Sequence, residues 1–170
     1  MIDLPKVFLD TSLLIAATMT ENPKSPGAGL IRLGAEGLLD LRISPDVLRE
    51  AEFVLIEQAG IDATKGRRWI ARLAENLALA RVATTERPGE STIQLCMQFT
   101  NYRPDAKILA AAIEADVEVV VAYDRQHLLN NPLIRPPNTR FVVMSGGEAL
   151  EWAKDQIKTR AREQAQKRLG

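Results

Sequence analysis

Four acidic residues are the side chains in this sequence whose types and positions best fit a chemical role. Asp10 ends an apolar, strand-like run, and Asp124 ends the most hydrophobic run of the chain. Glu50 lies in a helical pattern after Ser44-Pro45, and Asp105 follows a proline at the start of an alanine-rich stretch. Because parallel α/β sheets gather strand ends and helix starts on one rim, we expect the four carboxylates to lie close together.

A group of carboxylates without basic partners is electrostatically unfavourable, and this determines the chemistry that the pattern predicts. The negative charges repel one another, and a hard divalent cation such as Mg²⁺ relieves that repulsion. His127 is the only histidine and Cys96 the only cysteine, so the sequence argues against a zinc site built from those residues. The pattern therefore predicts a metal-dependent hydrolase site.

The composition is that of an ordinary globular protein and leaves the function class open. The chain has 170 residues, 46% of them hydrophobic and 26% charged, which predicts one domain with a substantial core. Its 22 basic and 22 acidic residues cancel, so net charge does not by itself indicate nucleic acid. A nuclease can still be neutral overall if acids line its site and bases line the rim.

The single cysteine and the absence of a membrane pattern predict where the protein works. Cys96 cannot form an internal disulfide, is predicted to be a core thiol, and fits a reducing compartment. The apolar segment 7–18 is interrupted by Asp10 and is too short to span a bilayer. It also lacks the basic start and cleavage pattern of a signal peptide. We expect a soluble cytoplasmic protein without a membrane partner.

Strand-like and helix-like patterns alternate along most of the chain. The predicted strands are 6–10, 38–43, 79–83, 117–122 and 140–144. The predicted helices are 11–19, 28–37, 45–59, one opening at 62 and reaching at least 77, 91–100, 105–115 and 146–168. This alternation predicts an α/β fold in which helices cover both faces of a parallel sheet. The tail from residue 158 has few apolar residues and is expected to fray.

Four segments that carry these acids resemble the motifs of PIN domain ribonucleases, and they occur in the order that the family shows. They are Val7-Phe-Leu-Asp10-Thr-Ser12-Leu-Leu-Ile-Ala16, Ser44-Pro-Asp-Val-Leu-Arg-Glu50, Pro104-Asp105-Ala-Lys-Ile-Leu-Ala-Ala-Ala112 and Val119-Val-Val-Ala-Tyr-Asp124-Arg-Gln-His-Leu128.

The resemblance implies a fold, an activity and partners. The fold is a three-layer α/β/α sandwich with a five-stranded parallel sheet in the order 3-2-1-4-5. It would occupy residues 1–145 as a nuclease domain, and residues 146–170 would be the closing helix of the same domain. The activity is cleavage of RNA with Mg²⁺ or Mn²⁺, by a chain that forms a homodimer. Many bacterial members are VapC-type toxins silenced by an antitoxin, so the resemblance also suggests an antitoxin partner.

Each acid can be given a role in phosphodiester hydrolysis, in which a bound metal activates water and neutralises phosphate charge. We predict that Asp10 and Asp105 bind the metal directly and that Glu50 binds metal or orients the attacking water. Asp124 would hold a second metal, or contact the first through water. Ser12 would hydrogen-bond a ligand residue or a metal-bound water. Plainer interpretations are helix capping for Asp10 or Asp105, a solvated Glu50, and a turn at Asp124.

Substrate binding is predicted from basic residues that adjoin the acids. Arg103 precedes Asp105 by two positions and Arg125 directly follows Asp124, so both are predicted to hold RNA phosphates. One departure from the family concerns the fourth acid. The family often has Thr or Ser two residues before it, and this chain has Ala122, which removes a supporting hydroxyl.

Two alternatives belong to other functional classes. The first is a non-catalytic PIN-fold module that binds RNA or serves as an assembly scaffold. Ala122 favours it, whereas the retained acids argue against it. The second is a signalling receiver or phosphatase, which is also α/β with an acidic pocket. Such sites pair acids near the first strand and use a late lysine, but Asp10-Thr11-Ser12 has no second acid and no lysine directly follows the fourth or fifth strand.

Overall fold

A parallel sheet forms the centre of the computed structural model, which describes residues 3–123 and 128–169. The strands are Lys6–Leu9 (β1), Asp40–Ile43 (β2), Ala83–Thr84 (β3), Val119–Val121 (β4) and Val142–Met144 (β5). All neighbouring strands pair in parallel, and their order is β3-β2-β1-β4-β5. The predicted fold class and strand order are confirmed.

Seven helices cover the sheet in the part of the chain that the structure describes. They are Thr11–Met19 (α1), Pro26–Ala35 (α2), Pro45–Ala59 (α3), Ala63–Leu79 (α4), Glu90–Cys96 (α5), Arg103–Glu114 (α6) and Gly146–Leu169 (α7). Helices α1 to α4 pack against one another, and α7 packs against α2. Helix α5 packs against α6. These groups give the three-layer α/β/α sandwich.

The core lies around the two central strands, β1 and β4. Val7, Phe8 and Leu9 of β1 and all of Val119–Val121 are completely buried. Strands buried on both faces need continuous apolar runs rather than alternating ones, and the sequence supplies them at these two places. Cys96 lies in the same core, as predicted.

The third predicted strand is wrong over most of its length. Leu79 is the last residue of α4, and the strand comprises only Ala83 and Thr84. Helix α4 buries Trp69 and Leu73 along one face and continues to Leu79, and residues 80–82 form the turn that follows it. Both residues of β3 are exposed at the edge of the sheet, so no apolar run marks it.

Several other boundaries differ from the prediction, and two helix starts differ because of residues in or just before the first turn. Helix α2 begins at Pro26, two residues before the predicted start, because Ser25 Oγ accepts the Ala28 N–H and proline suits the first turn. Helix α6 begins at Arg103 and includes Pro104, whose missing N–H costs nothing in a first turn. Helix α2 ends at Ala35 and α5 at Cys96, earlier than predicted. Strands β1, β2, β4 and β5 are each shorter than predicted at one or both ends.

No helix in the described ranges is both long enough and apolar enough to cross a bilayer.

Candidate active site

Asp10 lies where β1 ends and α1 begins. Its backbone N–H donates to Val121 O at 3.0 Å, which continues the pairing of β1 with β4. Its Oδ2 accepts the Ser12 hydroxyl at 2.7 Å and the Ser12 N–H at 3.4 Å, so Asp10 is the N-cap of α1. The side chain is only 5% exposed. Asp10 therefore has a capping role, and its carboxylate is also held at the carboxyl end of the central strands.

Ser12 connects Asp10 to the segment that follows β4. Its Oγ donates to Asp10 and accepts the backbone N–H of Tyr123 at 3.0 Å. A single hydroxyl thereby fixes one carboxylate oxygen relative to the neighbouring strand end. The predicted contact with a metal-bound water stays a prediction.

Glu50 is presented by α3, whose start is encoded locally. Ser44 Oγ accepts the Val47 N–H at 3.2 Å, and Pro45 occupies the first helical position. Glu50 Oε2 accepts the hydroxyl of Thr11 at 2.7 Å. Sequence reasoning did not single out Thr11 as a partner of Glu50, because the two residues are 39 positions apart and only the fold brings them together.

Asp105 is the third residue of α6 and is 7% exposed. A carboxylate in the first helical turn is favoured by the partial positive charge of the helix N-terminus. The N-cap of α6 is Tyr102, so Asp105 is not the cap that the plainer interpretation proposed. Tyr102, Asp105 and Ile108 are spaced three residues apart and share one face of the helix.

Three of the four predicted acids line one cavity of about 240 Å³. They are Asp10, Glu50 and Asp105, and the other lining residues are Thr11, Ser12, Ile15, Val54, Tyr102, Pro104, Ile108 and Leu128. Among these lining residues from the described ranges there is no lysine or arginine. We call this space the acidic cavity.

The electrostatics of the acidic cavity disfavour further negative charge. Burial raises the pKa of the Asp10 carboxyl, and the nearby charge of Glu50 raises it too. Hydrogen bonds from Ser12 and from the backbone of Thr11 lower that pKa, but burial has the largest effect. An ionised Asp10 is therefore destabilised in the folded chain, and a cation in the cavity would relieve that cost.

The remaining predicted residues are placed differently. Asp124, Arg125 and His127 lie outside the described residues. Arg103 lies in α6 but forms an ion pair with Glu90, at 2.7 Å between Nη2 and Oε2. It does not line the acidic cavity, because residues two apart on a helix do not face the same way. Arg103 lines a neighbouring cavity instead.

The donor chemistry of the acidic cavity fits a hard divalent cation. Within residues 3–123 and 128–169, no three acidic, histidine or cysteine side chains are arranged to hold one metal ion together. Mg²⁺ commonly takes one or two carboxylates and keeps several of its waters. Asp10 and Asp105 offer two buried carboxylates beside a cavity of about 240 Å³, so the residues present suit such an ion.

Solved structures share this fold at low sequence identity. The protein PAE2754 from Pyrobaculum aerophilum superposes with a TM-score of 0.63 at 16% identity, over 89% of this chain and 96% of its own. VapBC2 from Rickettsia felis, solved bound to a DNA fragment from its promoter, gives a TM-score of 0.57 at 15% identity, over 82% of this chain and 98% of its own. At these identities the similarity shows the fold alone.

A third structure is VapC20 from Mycobacterium tuberculosis, described as a sarcin-ricin loop cleaving toxin. It gives a TM-score of 0.50 at 19% identity, over 71% of this chain and 92% of its own. No curated protein sequence matches the chain. The family comparison is decisive, because residues 6–126 match the PIN domain, and this segment contains every residue of the acidic cavity except Leu128. The chain therefore belongs to the PIN domain family.

Proposed function

We propose that this chain is a divalent-metal-dependent endoribonuclease that hydrolyses RNA phosphodiester bonds. The observation that carries the proposal is the acidic cavity, where Asp10, Glu50 and Asp105 meet without a lining lysine or arginine in the described part of the chain. Family membership supports it, as does the sarcin-ricin loop cleavage named for the M. tuberculosis neighbour.

The residues of the acidic cavity would divide the work. Asp10 and Asp105 would hold a Mg²⁺ or Mn²⁺ ion, and Asp124 is proposed as the fourth acid of the site. The bound ion would supply a Lewis acid for the phosphate and a water of lowered pKa. Ser12 holds the Asp10 carboxylate in place through its hydroxyl. Thr11 holds Glu50, which would orient the attacking water and accept its proton.

Cleavage assays with defined product ends test this proposal. We expect labelled RNA to be cut internally only when Mg²⁺ or Mn²⁺ is present, leaving a 5′-phosphate and a 3′-hydroxyl. Asp10→Asn, Asp105→Asn and Glu50→Gln should abolish cutting. The matched control is Glu52→Gln, an exposed acid on the same helix as Glu50 that does not line the acidic cavity. Metal-independent cutting with cyclic-phosphate ends would contradict the mechanism.

A non-catalytic RNA-binding or assembly module is the second candidate function. Ala122 is completely buried and places a methyl group where the family often has a hydroxyl. A chain that binds Mn²⁺ and RNA, but leaves the RNA intact under all metal conditions, would establish this alternative.

We also propose that the chain is the toxin of a toxin–antitoxin pair. The supporting observation is that the M. tuberculosis neighbour is named as the toxin VapC20 and the R. felis neighbour as VapBC2. Expression of the wild-type chain alone should arrest bacterial growth, whereas the Asp10→Asn variant should not. Co-expression of a small protein encoded beside it should restore growth and co-purify with it.

The homodimer stays a prediction. Light scattering should give a mass twice the 18.8 kDa of one chain.

A further inference from the structure

A groove leaves the acidic cavity between α3 and α6. Its middle section is a cavity of about 360 Å³, lined by Arg49 and Phe53 of α3 and by Lys107 of α6. Glu50 and Tyr102 line both this section and the acidic cavity, so the two spaces are adjacent. We call the continuous depression the α3–α6 groove.

The far end of the α3–α6 groove is basic. A cavity of about 260 Å³ there is lined by Arg49, Arg87, Arg103 and Lys107, together with the acids Asp46 and Glu90. The two acids form ion pairs with arginines of the same cavity, Asp46 with Arg49 at 3.5 Å and Glu90 with Arg103 at 2.7 Å. Two positive charges remain in excess among these lining residues. The side chains that line the groove therefore carry a net negative charge at the acidic cavity and a net positive charge at the far end.

The middle of the groove presents aromatic side chains to solvent. Phe53 is 59% exposed and Tyr102 is 55% exposed. Proteins that bind single-stranded nucleic acid combine exposed aromatic rings with cationic side chains, because bases stack on the rings while phosphates form ion pairs with the cations. In a duplex the base faces are already stacked and are not available to such a surface.

Helical spacing explains why the charge of the side chains that line the groove changes from negative to positive over a short distance. The N-cap Tyr102 and the α6 residues Asp105 and Ile108 lie on the side of the acidic cavity. Arg103 and Lys107 are four residues apart on the adjacent face of α6. An RNA strand lying across α6 would therefore pass from the carboxylates of the acidic cavity, over Tyr102, to Arg103 and Lys107.

We propose that the α3–α6 groove binds a single-stranded segment of RNA next to the phosphate that is cut. A base stacks on Tyr102 and Phe53, and flanking phosphates contact Arg49 and Lys107. This inference rests on the proposed function, since the acidic cavity would hold the reacting phosphate. It makes Tyr102, Phe53, Arg49 and Lys107 substrate-binding residues, and the first three of these were not identified from the sequence.

Binding measured without cleavage tests the groove separately from the chemistry. We would use the full chain in EDTA and follow fluorescence anisotropy of a labelled single-stranded RNA of about ten nucleotides, within the usual range of such sites. Tyr102→Ala and Phe53→Ala should each weaken binding by about fivefold or more, the loss expected for one stacked base. Tyr102→Phe keeps the ring and should retain the affinity.

The charges are tested by salt dependence. Replacing Arg49 and Lys107 together by glutamine should lower the slope of log affinity against log salt by about 1.4, because each single-strand phosphate contact contributes about 0.7. The control is Arg68→Gln, an exposed arginine on α4 that lines none of these three cavities. It should leave the slope of log affinity against log salt unchanged, and it should lower the RNA affinity only as much as the loss of one distant positive charge does.

The outcomes separate this inference from the proposed function. If Asp10→Asn abolishes metal-dependent cutting but the groove variants bind RNA like the wild type, the hydrolase stands and the groove proposal is overturned. The groove proposal would also be overturned if the protein bound a duplex of the same length as tightly as single-stranded RNA. It would be overturned as well if Arg68→Gln weakened RNA binding as much as the groove variants do. If groove variants lose RNA binding and no metal supports cutting, the α3–α6 groove stands as an RNA-binding site, and both the hydrolase and the position of the groove beside a cut phosphate are overturned.

Discussion

Replacing Asp10 by asparagine should remove the response of the protein to metal without unfolding it. Asparagine keeps a side-chain oxygen that can accept the hydrogen bonds from Ser12, so the cap of α1 is retained. The substitution removes the negative charge that burial and Glu50 both disfavour. The variant thus separates the capping role of this side chain from the role that we propose for it as a metal ligand.

The sign of the effect in metal-free buffer follows from the raised pKa of Asp10. Stability from a carboxyl whose folded pKa is raised is fully present below its unfolded value of about 3.9, and it is lost as pH rises through the folded value. At pH 7 the ionised Asp10 therefore destabilises the native state. Exchanging a charged for a neutral hydrogen bond costs about 1 kcal/mol in the other direction. We expect Asp10→Asn to be as stable as the wild type or more stable, with the gap narrowing toward acid pH.

The size of the metal effect can be worked out from linkage and chain length. Metal at about one hundred times its Kd stabilises the native state by about 2.7 kcal/mol. For a chain of 170 residues, 1 kcal/mol corresponds to roughly 2–4 °C in Tm. Wild-type protein should therefore melt about 5–11 °C higher in saturating Mg²⁺ or Mn²⁺ than in EDTA.

Thermal melts of both proteins with EDTA and with a metal titration measure this difference. Asp10→Asn should show no metal-dependent rise, while Glu52→Gln should rise like the wild type. The reasoning would be refuted by equal metal responses of Asp10→Asn and wild type. A variant that unfolds in EDTA would show that Asp10 is a structural cap alone.

Three further predictions concern other parts of the molecule. Thr11→Val removes the 2.7 Å hydrogen bond to Glu50 and should lower kcat roughly 10-fold or more with little change in KM. Thr11→Ser keeps the hydroxyl and should retain the wild-type kcat. Equal kcat values for the wild type and both variants would exclude a positioning role for Thr11. Arg160 Nη2 donates to both carboxylate oxygens of Glu118, at 2.8 Å and 2.7 Å. Arg160→Gln should therefore lower the free energy of unfolding in urea by about 1–3 kcal/mol. Cleavage by the folded protein should not change. Burial raises the pKa of the Cys96 thiol to about 11, so iodoacetamide at pH 8 should label it slowly in the native state and rapidly in urea, and fast native labelling would contradict this burial.

The sequence determined the elements whose signals are local. Helix α3 spans Pro45–Ala59 as predicted, because Ser44 caps it, proline suits its first turn and Gly60 follows its end with a positive φ. The central strands are visible because burial on both faces requires continuous apolar runs. The sequence also predicted that Asp10, Glu50 and Asp105 would lie close together, and the three acids line one cavity.

Tertiary structure decided what depends on distant partners and on side-chain direction. The edge strand β3 carries no apolar signal, because only its pairing with β2 makes it a strand. The bond between Thr11 and Glu50 joins two elements whose approach no local pattern encodes. Arg103 adjoins Asp105 in sequence yet faces a different cavity, because a helix turns successive residues by about 100° and residues two apart diverge. For the same reason Tyr102 lies in the acidic cavity and Lys107 lies in the basic end, a distinction that proximity in the sequence could not make.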